Sequence, residues 1–307
     1  MRFRETLSRV RPDKETVVTV GVFDGVHEGH RHLLRQVVEA ADGRHIPTVV
    51  TFSNRPITVL NPGTEPSYLT TVDERVDLIK QQGIELVVCP EFTLELAQVT
   101  AEEFAVLLAD SLKMKGLVLG PDSALGRNRQ GVFSFMQKQG EELGFWVKPV
   151  EPLEIQGQAV QSRRIRAAVA DGNMSICPKL LGRNHHLSGT VVVGDQRGRT
   201  LGFPTANIEI DDQLLLPGDG IYATWAMIDG NRHKSATSIG IRPTFGLTQR
   251  LVEVYVMDFS DDLYGKTVDV EFIKKVRDQE KFDGLEALIT QIERDVEDCR
   301  LVLAKSI

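Results

Sequence analysis

The chain has no long apolar run, no paired cysteines and no excess of positive charge. None of the hydrophobic stretches in its 307 residues approaches the ~20 residues that a bilayer-spanning helix needs, so no membrane role is expected. The opening string Met1-Arg2-Phe3-Arg4-Glu5-Thr6 lacks the apolar core of a secretory leader. Three scattered cysteines, Cys89, Cys177 and Cys299, form no CxxC pair, which predicts reduced thiols in a cytoplasmic protein. With 36 Lys and Arg against 43 Asp and Glu, the net charge is −7 and the pI about 5.6. That balance argues against a nucleic-acid partner or an anionic membrane surface. Internal repeats and low-complexity segments are also missing. Gly265-Lys266-Thr267 looks like the end of a Walker loop, but Ser260 stands where that loop needs its earlier glycine.

What is present divides the chain in two. Its length suits two domains of ordinary size. The first half alternates strand-like runs at 17–23, 47–52, 86–89, 117–120 and 145–150 with helix-like runs at 30–41, 72–82, 101–113 and 132–143. Thr71 with Glu74, and Thr100 with Glu103, have the spacing of capping boxes. Such alternation predicts a parallel sheet with helices on both faces, and ligands beyond the carboxyl ends of its strands. From about His186 short β-like segments take over, at 189–193, 220–226, 235–239, 251–259 and 267–272. They predict a small antiparallel barrel, followed by an amphipathic helix at 285–303. The boundary is placed near Leu181.

The most informative string is Gly21-Val22-Phe23-Asp24-Gly25-Val26-His27-Glu28-Gly29-His30. It stands between an apolar run and a helical pattern, so a strand, a glycine-bearing turn and a helix start follow in order. Unpaired backbone N–H groups and the positive end of the helix dipole then face an anion. Gly25 and Gly29 allow tight turning and close approach of a ligand. His27 and His30 add donors on one side of the first helical turn. A zinc pair fails for want of further ligands at the right spacing. Ordinary surface histidines are the plain alternative, and the context favours a nucleotide-handling site. The string resembles the HxGH signature of nucleotidyltransferases. There the histidines stabilise the charge that develops as a phosphate attacks the α-phosphate of ATP.

A second string, Gly198-Arg199-Thr200-Leu201-Gly202-Phe203-Pro204-Thr205-Ala206-Asn207, joins a two-glycine turn to an extended run. The turn gives room for phosphate oxygens. Thr205 and Asn207 offer oxygen ligands suited to magnesium. A hairpin turn before an ordinary strand is the rival reading, with equal weight on this string alone. The string is not alone. Ile239-Gly240-Ile241-Arg242-Pro243-Thr244-Phe245, Val252-Glu253-Val254-Tyr255 and Arg277 follow it. From Gly182 onward the chain resembles the riboflavin kinase module. With the HxGH half in front, it is similar over essentially its full length to the bacterial bifunctional riboflavin kinase/FMN adenylyltransferases, also called FAD synthetases.

The resemblance implies an α/β plus all-β chain. Residues 1–181 would form a Rossmann-like nucleotidyltransferase domain, the FMN adenylyltransferase. Residues 182–307 would form the riboflavin kinase barrel with its terminal helix. It implies ATP as co-substrate, Mg2+ as cofactor, and riboflavin, FMN, FAD and ATP/ADP as ligands; it names no protein partner. By resemblance Glu253 is the kinase base, accepting the proton of the riboflavin 5′-hydroxyl. Thr205 and Asn207 bind the ATP phosphates and the metal, and Gly198, Gly202 and Pro204 shape the phosphate loop. Asp122 and Arg277 lie near the flavin. In the first half Gly21, Phe23, Asp24, Gly25, His27 and His30 form the ATP turn, and Ser162 and Arg166 fit a phosphate-binding string at a helix start.

All departures from the family pattern lie in the first half. Gln161 and Arg163 replace a Ser and a Thr in that string, and Asn54-Arg55-Pro56 stands in place of Pro-His-Pro. Ser123 and Leu125 replace two aromatics that the family carries near the flavin. Base–aromatic stacking contributes ~1–3 kcal/mol per ring, so weaker FMN binding is expected. The alternative function is an active kinase whose first domain binds nucleotide with weak or no adenylyl transfer.

Overall fold

The computed structural model describes residues 2–194, 198, 201–244 and 247–306. The chain forms two compact units, Met1–Ser162 and Arg163–Ile307.

The first unit is a parallel sheet of β1 (Thr16–Val20), β2 (Ile46–Val50), β3 (Leu86–Val88), β4 (Met114–Leu119) and β5 (Trp146–Pro149), in the order β3-β2-β1-β4-β5. Both faces are covered, and the side-chain alternation of β1 shows how. Val17 packs with Val49 and Val118 under α2 (Glu28–Ala41), which contributes Leu33, Leu34 and Val37, and α4 (Val72–Lys80), which contributes Leu78 and Ile79. Val18 and Val20 turn the other way, toward Phe3 and Leu7 of α1 (Arg2–Arg9), Leu108 and Leu112 of α6 (Ala101–Leu112) and Met136 of α7 (Phe133–Leu143). The helix starts are capped as the spacing predicts. Thr71 accepts from the Glu74 N–H, and Thr100 and Glu103 form a full capping box. Two features were not legible. α1 carries no cap signal, and α3 (Pro56–Leu60) and α5 (Leu94–Ala97) are too short to show a period. The crossovers reverse direction between β1 and β4, so the turn after β1 lies at the topological switch point where ligands bind in such sheets.

A short hairpin, β6 (Glu154–Ile155) and β7 (Gln158–Ala159), follows in the first unit. The strands of the second unit are β8 (His185–Val192), β9 (Thr205–Ile210), β10 (Gly220–Ile228), β11 (Asn231–Thr244), β12 (Leu247–Val256) and β13 (Thr267–Arg277). They close into a barrel of order β10-β11-β12-β9-β8-β13, and every pairing is antiparallel. Alternate residues line the interior. Tyr222, Thr224, Thr237, Ile239, Val252, Val254, Val270 and Phe272 are all buried. The buried hydroxyls are satisfied among themselves, Thr224 Oγ1 lying 2.8 Å from Ser235 Oγ and 2.7 Å from Thr237 Oγ1. Outside, the helix Leu285–Ala304 lays Cys299 and Leu303 on Ala223 and Trp225 of β10. Strands such as β11 run longer than the sequence expected because the ladder with β10 continues through the polar residues Asn231 to Lys234.

The segment between the two textures packs with the barrel. α8 (Ser162–Ala170) begins at the last residue of the first unit, and its later turns, with α9 (Cys177–Leu181), belong to the second unit. The Gly218 N–H donates to the Val169 carbonyl at 3.1 Å, and Gly172 sits where a Cβ would meet the Tyr222 hydroxyl. Residues 163–181, grouped with the first domain by sequence, therefore fall in the second unit by packing.

Candidate active sites

In the first unit the string 21–30 closes on itself as a strained turn. Phe23 has φ 53°, Gly25 82° and Val26 38°. Only glycine holds such angles without cost, so two side-chain residues here mark a conformation imposed by its surroundings. Asp24 is buried, and its Oδ1 accepts from the Leu69 N–H at 2.8 Å. The Gly25 N–H donates to Thr70 Oγ1 at 3.2 Å, and Ser162 Oγ donates to the Asp24 carbonyl at 3.0 Å. The turn is thus gripped from segment 68–71 and from the start of α8.

His27 is the N-cap of α2, and its Nδ1 accepts from the His30 N–H at 3.2 Å. That bond fixes the neutral ring with its proton on Nε2, as a donor. The two imidazoles stack with centroids 3.6 Å apart, and Phe23 meets His30 edge-on at 5.1 Å. A Cβ at Gly29 would come within 2.9 Å of the Val160 carbonyl oxygen and 3.2 Å of the His27 ring, so a side chain there would force its surroundings to shift. The arrangement places two imidazoles and a helix N-terminus on one side of the turn, as an anion requires.

Other expected residues of this half have the following places. Asp122 accepts from Gln161 Nε2 at 3.1 Å through its carboxylate and from Arg129 Nη2 at 2.8 Å through its carbonyl. Asn54 exchanges two hydrogen bonds with the Phe92 backbone. Arg55 donates to Ser67 Oγ at 3.2 Å. Leu125 is 7 % exposed and packs in the core beneath the sheet, whereas Ser123 stands partly exposed beside Gly120. Arg166 lies four residues after Ser162 on α8, on the same helical face.

On the barrel the site is assembled by register. Asn207 of β9 stands directly opposite Glu253 of β12, Thr205 stands opposite Tyr255, and on the far side of β12 Glu253 faces Ser238 of β11. Directly opposed residues have Cβ atoms ~5 Å apart, so Thr205, Asn207, Glu253 and Ser238 share one outward face. Glycines press against that face. A Cβ at Gly194 would collide with the Asn207 amide, and one at Gly198 would lie 3.1 Å from Thr205 Oγ1. The Gly198 carbonyl accepts from the Leu201 and Phe203 N–H groups at 3.1 and 2.9 Å, closing the loop, and Gly202 holds φ 85°. Pro204 leads into β9 beside Phe203, whose ring meets Tyr255 edge-on. Arg199 and Thr200 of the motif lie outside the described residues.

Arg277 occupies a different place. It ends β13 opposite Ile221, three strands from Glu253 in the closed barrel, and grips Asp295 of the C-terminal helix through Nε at 2.7 Å and Nη2 at 2.6 Å. Asp295 is 4 % exposed, and its hydrogen bonds hold the guanidinium pKa above its usual value. Sequence reasoning missed the residue beside the site. Gln279 Nε2 reaches Ser238 Oγ at 3.0 Å and the Ile239 carbonyl at 3.1 Å. Only the register of β11 with β12 reveals it, and no local pattern carries that. It also missed the grip of 68–71 on the turn, since these partners are 45 residues from Asp24 and Gly25.

Among the described residues no group of three or more His, Cys, Asp and Glu side chains could hold a metal. Thr205 and Asn207 supply neutral oxygens instead. That donor set fits Mg2+, which takes one or two protein ligands and completes its octahedron with substrate phosphates and water.

Comparison with known proteins follows the same division. A family model described as FAD synthetase matches residues 10–164, and one described as riboflavin kinase matches residues 181–303. The bifunctional riboflavin kinase/FMN adenylyltransferase of Escherichia coli K12 is 36% identical over 92% of this chain and 91% of its own. The Pseudomonas fluorescens protein of the same name is 34% identical over 100% and 99%. A solved structure described as a macrolide-efflux protein from Streptococcus pneumoniae superposes with a TM-score of 0.89 at 32% identity, covering 96% of both chains. No helix among the described residues is long and apolar enough to cross a membrane.

Proposed function

Because the chain belongs to the bifunctional riboflavin kinase/FMN adenylyltransferase family, we propose that its two sites divide the reactions as follows. The enzyme phosphorylates riboflavin to FMN with ATP, then transfers AMP from a second ATP to FMN, giving FAD and pyrophosphate. Kinase chemistry is carried by residues 182–307 and adenylyl transfer by the turn of the first unit. The observation that carries this division is the register that puts Glu253 opposite Asn207 on the barrel, in a different compact unit from the one that holds the histidine turn.

In the kinase step Glu253 accepts the proton of the riboflavin 5′-hydroxyl as its oxygen attacks the γ-phosphorus, and ADP leaves. The glycine loop around Gly198 and Gly202 gives the ATP phosphates room, with Thr205 and Asn207 at its rim. Thr205 and Asn207 are the residues that would hold Mg2+ beside the phosphates, where it would supply charge neutralisation. In the second step an FMN phosphate oxygen attacks the α-phosphorus of ATP and pyrophosphate departs. His27 Nε2–H, His30 and the N-terminus of α2 stabilise the negative charge that builds there. Ser162 holds the turn through the Asp24 carbonyl, and the family string assigns Arg166 to ATP phosphate. Arg277 orders the wall of the flavin site by fixing the C-terminal helix, and Asp122 lines the FMN side of the first unit. The setting is cytoplasmic, where ATP is supplied and Cys89, Cys177 and Cys299 stay reduced.

The test is a time course with riboflavin, ATP and Mg2+, separating FMN from FAD. FMN appears first and FAD follows. Omission of Mg2+ abolishes the first step; FMN formation without any divalent cation would refute the metal assignment.

A further inference from the structure

The proposed reactions leave one buried cation without a role. Arg75, on α4 of the first unit, is 1 % exposed. A charged group so deeply buried is costly to fold, and its position calls for a physical reason. Its Nη1 donates to two backbone carbonyls, Val22 at 3.1 Å and Phe52 at 2.7 Å. Nε and Nη2 have no hydrogen-bond partner among the described residues. The guanidinium lies 5.8 Å from the centre of the Tyr68 ring, in the segment that grips the turn.

Both carbonyls stand just beyond the carboxyl ends of their strands, β1 and β2. The Val22 oxygen also accepts from Thr51 Oγ1 at 2.9 Å. With two donors on one oxygen, both of its lone pairs are used and the peptide plane after Val22 cannot turn. The next residue is Phe23, at φ 53°. Its ring lies over Gly21, where a Cβ would come within 2.9 Å of it, and meets His30 edge-on. A continuous path therefore runs from Arg75 through the Val22 carbonyl and the left-handed Phe23 to His30.

We propose that Arg75 is a positioning residue for adenylyl transfer. Its guanidinium locks the Val22 carbonyl and so holds Phe23 in the conformation that seats His30 in the ATP turn. This rests on the reading of residues 21–30 as the ATP site of the second reaction. Thr51 acts on the same oxygen with a single neutral bond, as the weaker half of the lock.

The experiment uses the full chain carrying Arg75→Met, Arg75→Lys, Thr51→Val or His30→Ala. Steady-state FAD formation from FMN and ATP is measured in each, with riboflavin phosphorylation in the same preparation as the control. Arg75→Met should raise KM for ATP about tenfold or more, since small misplacements of positioning groups have effects of that order. Kinase turnover stays at the wild-type value. Arg75→Lys recovers part of the loss, keeping the charge but not the fork. Thr51→Val raises KM for ATP in the same direction by less. A residue that merely supports the fold would lower kcat with the folded fraction and leave KM for ATP alone; that outcome, or wild-type kinetics, overturns the proposal. If Arg75→Met yields no folded protein, Thr51→Val decides by itself, and an unchanged KM for ATP refutes the lock. His30→Ala separates the two levels. Wild-type FAD synthesis in that variant removes the ATP-turn reading and the proposal together, whereas its loss beside normal Arg75 and Thr51 variants removes the proposal alone.

Discussion

The turn of the first unit is held by long-range bonds to its own backbone, while the barrel site is made of side chains that strand register sets side by side. At the turn, the Asp24 carbonyl, the Gly25 N–H and the Val22 carbonyl are each tied to residues far off in sequence, at Ser162, Thr70 and Arg75. On the barrel, Asn207, Glu253 and Ser238 need only the antiparallel ladder to meet. The first design imposes a conformation the local chain would not choose. The second uses ordinary extended strands. It follows that remote substitutions should disturb adenylyl transfer more readily than phosphorylation, and that each reaction should fail separately.

The largest effect should come from Glu253→Ala. Removing a general base commonly costs ~10²–10⁴-fold. FMN formation should fall by that order while conversion of added FMN to FAD is untouched, because the two residue sets lie in different compact units. Equal loss of both steps in a folded variant would break the comparison. Next in size, His30→Ala should slow FAD formation about 10²-fold, the scale of losing one donor to developing charge, and spare the kinase. FAD made at the wild-type rate would show that the imidazole takes no part.

How much of this was readable before folding follows from the same contrast. The string 21–30 is contiguous, so strand, turn, helix start and both histidines were legible together, as was the doubly covered parallel sheet. On the barrel the glycine loop and Glu253 were singled out through resemblance, since Val-Glu-Val-Tyr-Val by itself reads as any half-buried strand. What supports either site was not readable. Arg75 looks like one more charge on an amphipathic helix, and Gln279 like a loop residue. Their partners are carbonyls and a hydroxyl chosen by tertiary register, which leaves no trace in local spacing. Residues 163–181 were grouped by the composition change near Leu181, whereas packing follows contacts such as the bond from Gly218 to Val169.

A smaller effect sharpens the comparison at the FMN side of the first unit. Of the two residues standing where the family carries aromatics, Leu125 is turned into the core and Ser123 is not. The loss of stacking is therefore reckoned for one ring, ~1–3 kcal/mol. KM for FMN should be raised about tenfold over a Ser123→Phe variant with kcat unchanged, the sign of lost uniform binding, and FMN should accumulate when riboflavin is supplied. A low-micromolar KM for FMN in the unaltered chain would show that the lost ring is compensated, and an Arg55→Ala variant would then test whether this guanidinium grips the phosphate.

The smallest effect concerns stability, and it belongs to the barrel alone. His185 begins β8, is 2 % exposed, and lies against the Phe272 ring at 6.0 Å. Burial, with the nearby positive charge of His186 and Arg183 adding to it, pushes its pKa down to about 3. The unfolded chain takes up a proton near pH 6.5, but the folded barrel does so only near the lower value. Between those limits the unfolded state binds more protons, so the stability from this neutral imidazole is complete above about pH 6.5 and declines as the pH falls toward 3. From pH 6.5 to 5 the melting temperature of the barrel transition should drop by roughly several degrees, at ~2–4 °C per kcal/mol for a unit of this size. His185 also hydrogen-bonds the Leu215 backbone, and His185→Asn keeps a donor there without titrating, so it should melt lower at neutral pH yet lose less on acidification. The turn of the first unit has no part in this, and FMN-to-FAD conversion at pH 5.5 should respond identically in both proteins. A melting curve whose acid slope is unchanged by His185→Asn would assign the acid sensitivity to other groups.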